Sequence, residues 1–154
     1  AETGDITSFD GRETAPAAAT PELFYENGRP LGFRDAVLSG RSTGVPGAVA
    51  MLGLAHEKHG RLAWSALFGD AERLARDGFV VSPRLAGFAA SRTGQGGTQW
   101  AEAYFTKPDG SRVVAGDLLK NPAYAQTVAD LAAGGPDALY QGRIAAEILT
   151  AVGA

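Results

Sequence analysis

The sequence predicts a mainly α-helical body. Apolar residues recur at helical spacing in several long stretches, Ser-Pro or Asn-Pro pairs stand where helices would start, and glycines stand where they would stop. The predicted helices run near 46–59, 63–77, 83–91, 122–133 and 143–152, with little sheet.

Residues 1–20 are polar, rich in small residues and read as irregular. Thr20-Pro21-Glu22 supplies an N-cap, a first-turn proline and a first-turn acid, which predicts a short helix through Phe24. "ENGRP" at 26–30 is a turn, with Asn27-Gly28 supplying positive φ. Residues 31–44 carry no clear period, and Gly40, Gly44 and Gly47 punctuate them. In "VPGAVAMLGLAHEKHG", 45–60, Pro46 suits a first helical turn and Val49, Leu52 and His56 share a face. Lys58 and His59 favour the negative end of the dipole, and Gly60 closes the helix. "LAWSALFGDAERLARDG", 62–78, has Leu67 and Leu74 in register, basic residues late and Gly78 as a stop. "SPRLAGFAASR", 82–92, opens on Ser-Pro, and "TGQGGT", 93–98, is a glycine loop.

"AYF" and "RVVA" flank the turn signal "TKPDGS", so a short hairpin is expected near 102–115. Asn121-Pro122 starts a helix whose Tyr124, Val128 and Leu131 share a face, and Gly134-Gly135 breaks it. Pro136 begins a short turn to Tyr140, after which Ile144, Ile148 and Val152 line the last helix. The expected core is Val49, Leu52, Leu67, Leu74, Val128, Leu131, Ile144 and Ile148.

Composition narrows the function classes. The 154 residues suffice for one domain, with 45% apolar and 20% charged residues. The net charge of −3 and the lack of a basic run argue against nucleic acid, whose phosphates need a concentrated basic face. There is no cysteine, hence no disulfide, thiolate metal site or cysteine nucleophile. No apolar run reaches membrane-spanning length, and no signal peptide begins the chain. A first residue Ala1 rather than Met suggests a processed or excised piece.

Three local motifs resemble catalytic ones and fall short. "HEKHG", 56–60, spaces His56 and His59 three apart, whereas the zinc protease motif needs four and a further ligand. "GRSTG", 40–44, fits G-x-S-x-G with Ser42 in the middle, but no convincing strand precedes it and no histidine lies later than His59. "GQGGT", 94–98, lacks the preceding strand and the lysine of a phosphate loop. "PDG" and "AGD" read as turns, and no pair of carboxylates stands out as an acid–base couple. Local chemistry alone contains no complete catalytic machine, no metal site and no cofactor site.

A wider pattern is present in four segments. "DGRETAPAAAT", "STGVPGAVAMLGLAHEKHGRLAW", "AERLARDGFVVSPRLA" and "GDLLKNPAYAQTVADLAAGGPDALYQGRIAAEI" occur in that order. Together they resemble the large subunit of the γ-glutamyltransferases, also called γ-glutamyltranspeptidases or glutathione hydrolases, from about Phe9 to Ile148. The resemblance implies that residues 1–154 are a single helical domain or a helical section of an αββα N-terminal-nucleophile hydrolase. It implies a precursor cut to expose a threonine at the start of a small subunit. That threonine attacks the γ-glutamyl amide, its α-amino group acting as base, and the acyl group passes to water or an amino acid or peptide acceptor. The implied partners are a γ-glutamyl substrate such as glutathione and the small subunit. The implied compartment is the periplasm or the outside of a bacterium, although the chain carries no address.

The sequence departs from the family pattern in two ways. It lacks the early glycine- and alanine-rich segment and the half with the Thr-Thr-His-type nucleophile stretch, so no catalytic residue is expected here. It also has Gly11 where the family often has phenylalanine. Residues 1–20 are expected to be an irregular substrate-binding segment, in which Arg12 falls on the arginine that binds the α-carboxylate of the γ-glutamyl group. A guanidinium offers two parallel donors to a carboxylate and stays charged at any working pH. Asp10 and Glu13 could orient it. A cephalosporin-type acylase on the same scaffold is one alternative, against which Arg12 argues. A non-catalytic helical interaction module, with Arg12 an ordinary surface charge, is another.

Overall fold

A computed structural model describes residues 4–91 and 97–153, and its first regular element follows from two residues that accept positive φ. Asn27 and Gly28 take φ of 51° and 73°, the left-handed pair that a two-residue hairpin needs to match strand twist. They join β1 (Tyr25–Glu26) to antiparallel β2 (Arg29–Pro30). Ahead of the hairpin, Thr20-Pro21-Glu22 forms turns rather than the expected short helix. The Thr20 carbonyl accepts from the Leu23 amide at 3.0 Å and Glu22 accepts from Tyr25 at 2.8 Å. The chain must reverse at Asn27, which leaves too few residues to nucleate a helix.

Residues 31–44, without a clear period in the sequence, hold α1 (Phe33–Leu38) and a 3-10 turn at Gly40–Ser42. α2 (Ala48–His59) starts after Pro46, with Gly47 as its N-cap. The predicted helix 63–77 is two pieces, a 3-10 turn at Trp64–Leu67 and α3 (Gly69–Asp77). The Trp64 indole N–H donates to the Leu131 carbonyl at 2.8 Å, which fastens the 3-10 turn to a later helix and sets it off from α3. Gly78 stops α3 at φ 102°, a value that favours glycine.

α4 (Pro83–Ala90) is capped by Ser82, whose Oγ accepts from the Leu85 amide at 3.2 Å. α5 (Gln99–Tyr104) is capped by Thr98. "AYF" therefore closes a helix and does not form a strand. What remains of the hairpin expected at 102–115 is one bridge between Thr106 and Arg112 around the Pro108–Gly110 turn. The second sheet instead pairs β3 (Phe79–Val80) with β4 (Leu118–Leu119), antiparallel. α6 (Pro122–Gly134), capped by Asn121, α7 (Asp137–Tyr140) and α8 (Gly142–Gly153) complete the order. Most of the glycine loop at 93–98 lies outside the described residues.

A buried apolar cluster is formed by Val81, Ala89, Val113 and Leu119, with Phe79, Leu85, Tyr104 and Phe105 packed against it. Arg112 ties this cluster together. Its Nε donates to the Ala89 carbonyl at 3.0 Å and its Nη1 to the Glu102 carbonyl at 3.1 Å, the last turns of α4 and α5. Ala75, Ala125, Val128 and Ile144 are buried elsewhere.

Of the expected core, Val128 and Ile144 are buried, and Val49, Leu131 and Ile148 are half-buried. Leu52, Leu67 and Leu74 are not core: they are 54%, 50% and 44% exposed. Helical spacing identifies an apolar face but not what covers it. Leu52 and Leu67 instead line a 440 Å³ groove with Ala55, His59, Trp64 and Phe68. No helix of the described residues is long and apolar enough to cross a membrane.

Candidate functional site

Residues 9–16 have no helix or strand of their own, so contacts with α2 and the loop before it set their path. Phe9 meets the His59 ring edge-on at 5.8 Å between centroids, and the Lys58 Nζ lies 5.7 Å from the Phe9 ring centre. At the other end, the Val45 amide donates to the Thr14 carbonyl at 2.8 Å and the Thr14 amide donates back at 3.3 Å. Between these anchors three glycines admit close backbone approach. A Cβ on Gly47 would fall 2.8 Å from the Gly11 carbonyl oxygen and 3.0 Å from that of Arg12. A Cβ on Gly44 would fall 2.8 Å from the Glu13 Cγ, and one on Gly11 would fall 2.5 Å from the Met51 Cβ.

Arg12 stands at the middle of this path. Its side chain is 83% exposed, with Nε 3.5 Å from the Glu13 Oε1. Asp10 does not orient the guanidinium directly. Its Oδ1 accepts from the Arg12 backbone amide at 3.0 Å, so it shapes the main chain. Of the two neighbouring acids, only Glu13 meets the Arg12 charge. An exposed pair of this kind contributes little to stability.

Beside the segment lies a 220 Å³ cavity lined by Glu13, Thr14, Pro16, Leu23, Phe24 and Arg41, among others. Arg41 frames its far wall. One terminal nitrogen of its guanidinium donates to the Tyr25 carbonyl and the other to the Glu26 Oε1, both at 3.2 Å. The sequence offers no sign of this role, because Arg41 lies in the stretch without a period and its partners precede it by about fifteen residues.

Two of the three false leads resolve in structural terms. The Ser42 Oγ sits 3.0 Å from the carbonyls of Val37 and Ser39 and is on a 3-10 turn, not a strand-to-helix elbow. His56 Nε2 lies 2.9 Å from the Leu62 carbonyl and its ring meets Trp64 edge-on, while His59 packs on Phe9. Among the described residues no group of three His, Asp or Glu side chains could hold a metal. The phosphate-loop candidate "GQGGT" falls largely outside the described residues.

The perturbed titrating groups belong to residues 104–143. Hydrogen bonds from Arg143 and Gln126 hold the Asp130 carboxyl below its ordinary pKa. The Val114 amide and Lys107 do the same for Asp117. Burial pushes the Tyr104 phenol up, partly offset by Asn121. Each has a structural partner, and no two of them form an acid–base couple.

Comparison with known proteins matches this arrangement of elements. Residues 1–154 match the gamma-glutamyltranspeptidase family pattern. The chain is 36% identical to a glutathione hydrolase of Aspergillus flavus, over 97% of this chain and 24% of that protein. It is 33% identical to the glutathione hydrolase proenzyme of Escherichia coli, over 94% of this chain and 25% of that protein. The crystal structure of Helicobacter pylori gamma-glutamyltranspeptidase superposes with a TM-score of 0.82 at 28% identity, covering 92% of this chain and 41% of that one. The Pseudomonas nitroreducens enzyme, solved in complex with L-DON, superposes at 0.80 with 30% identity, covering 94% and 42%. The chain thus spans about a quarter of the length of the curated relatives it matches. With the family pattern running over residues 1–154 and the helical fold shared with its solved members, the chain belongs to the gamma-glutamyltranspeptidase family.

Proposed function

We propose that residues 1–154 are a helical section of the large subunit of an enzyme that cleaves γ-glutamyl amides such as glutathione. The observation that carries this is the family match over residues 1–154, joined by relatives named glutathione hydrolase at 33–36% identity. The nucleophile is a threonine outside these residues, freed at the start of the small subunit by cleavage of the precursor. Its hydroxyl oxygen attacks the γ-carbonyl carbon, its α-amino group takes the hydroxyl proton and passes it to the amide nitrogen, and the C–N bond breaks to release the amine. Water or an acceptor amine then releases the glutamyl group. Function in the periplasm or outside the cell belongs to the same proposal and rests on the family alone.

Within this reading, residues 1–20 are the substrate-binding segment and Arg12 holds the α-carboxylate of the γ-glutamyl group. The family motif around "DGRETAP" supports the role, as does an exposed guanidinium on a segment pinned at both ends. The whole precursor supplies the test. It should cleave itself to a small subunit beginning with threonine, seen by intact mass, and then hydrolyse a γ-glutamyl anilide. A cleaved protein that ignores γ-glutamyl amides but hydrolyses cephalosporin side-chain amides would overturn the proposal.

A further inference from the structure

We propose that Met51 and Gly11 form an interlocked pair that positions Arg12, so that the volume shared by positions 11 and 51 governs how selectively the enzyme holds a substrate carboxylate. The proposal rests on the reading of Arg12 as the carboxylate anchor. A Cβ at Gly11 would lie 2.5 Å from the Met51 Cβ, 2.9 Å from its Cγ and 3.2 Å from the Ala48 Cα. The Met51 Cβ and the Ala48 Cα are fixed by the α2 backbone and cannot rotate away, unlike the far end of a flexible side chain. The φ of Gly11 is outside the left-handed region. Space, not backbone conformation, therefore requires glycine at this position.

This tight contact with α2 thus falls one residue before Arg12. At the start of the same helix the carbonyls of Gly11 and Arg12 lie close over Gly47, the N-cap of α2, and the Thr14–Val45 bridge holds the chain beyond. A side chain added at position 11 runs into the Met51 Cβ and the Ala48 Cα and so pushes the Gly11–Arg12 backbone away from α2. Two-pronged binding of a carboxylate depends on the direction of both guanidinium donors, so a shift of about 1 Å is enough to lower kcat/KM about a hundredfold.

The test uses the mature full-length enzyme and two substrates, γ-glutamyl anilide and 4-aminobutyryl anilide, which lacks the α-carboxylate. The readout is the ratio of their kcat/KM values. Gly11→Ala should lower that ratio about tenfold to a hundredfold, through a raised KM for the γ-glutamyl substrate. Adding Met51→Gly, which removes the obstructing Cβ and Cγ, should restore most of it. Gly47→Ala should also lower the ratio, but Met51→Gly should not rescue it, because the obstacle there is the carbonyls of residues 11 and 12. It also serves if Gly11→Ala does not fold. Arg12→Ala separates the two ideas. If it leaves the ratio unchanged, the anchor reading fails. If it collapses the ratio while folded Gly11→Ala keeps the parental value, or while Met51→Gly gives no rescue, the positioning proposal alone is overturned.

Discussion

Thr14 and Val45 exchange both backbone hydrogen bonds, at 2.8 and 3.3 Å, across thirty-one residues of chain. This single bridge ties the irregular segment that carries Arg12 to the loop that opens α2. It is the only β-bridge made by residues 4–16 among the described residues. The segment's order therefore depends on it more than on any local propensity.

Val45→Pro removes the stronger of the two donors. We expect a loss of about 1 kcal/mol and faster proteolytic cleavage within 9–16, read by mass mapping of early fragments. Unchanged cleavage would mean that the Phe9 contacts hold the segment without the bridge.

Two leucines distinguish the packed core from an uncovered apolar face. Leu119 is 6% exposed and Leu52 is 54% exposed. In the 154-residue chain, Leu119→Ala should cost about 2–5 kcal/mol and Leu52→Ala less than about 1 kcal/mol, by urea denaturation. Equal losses would contradict the packing described.

How far the sequence reveals this fold follows from which signals are local. Ser82, Asn121 and Gly78 act as the sequence predicts, because caps and positive φ are decided within a few residues. Leu52, Leu67 and Leu74 fail as core predictions because burial depends on what packs from elsewhere. The β3–β4 pairing was not legible, since two-residue strands carry no period and join residues about forty apart. Arg12 could be singled out only through its motif. The approach of its carbonyl to Gly47, and of Gly11 to Met51, appears only in the fold, because nothing in the spacing of residues 11 and 51 indicates contact.

Arg112 reaches two helix ends at once, the Ala89 and Glu102 carbonyls, and also donates to the Thr106 hydroxyl at 3.2 Å. Arg112→Ala should cost about 1.5–3 kcal/mol, the range for hydrogen bonds to a charged group. Arg112→Lys should recover only part of it, since an ammonium cannot span the same acceptors. Full recovery by lysine, measured by thermal denaturation, would show that charge rather than the fork is what matters.

Acid should loosen the contact between α6 and α8. Arg143 pairs with Asp130 and Glu147, and the Asp130 carboxyl titrates below its ordinary range because of Arg143 and then Gln126. A carboxyl with a depressed folded pKa contributes stability above its unfolded value, about 3.9, and loses it as pH falls through the lower folded value. Asp130→Asn should therefore lower the urea midpoint at neutral pH, and the difference should shrink as the parent is acidified below pH about 4. A constant difference across that range would assign the effect to lost packing instead.

The central claim is the role of Arg12, and one kinetic comparison tests it most directly. In the mature full-length enzyme, removal of the guanidinium would leave the bound α-carboxylate without its partner, a loss of about 3–5 kcal/mol in a desolvated site. Arg12→Ala should then lower kcat/KM for a γ-glutamyl anilide about a hundredfold to a few thousandfold, with precursor cleavage largely spared and Arg12→Lys recovering only part. The same variant should barely change turnover of the substrate that lacks the α-carboxylate. Unchanged γ-glutamyl kinetics in a folded Arg12→Ala enzyme would contradict the account and return Arg12 to an ordinary surface charge paired with Glu13.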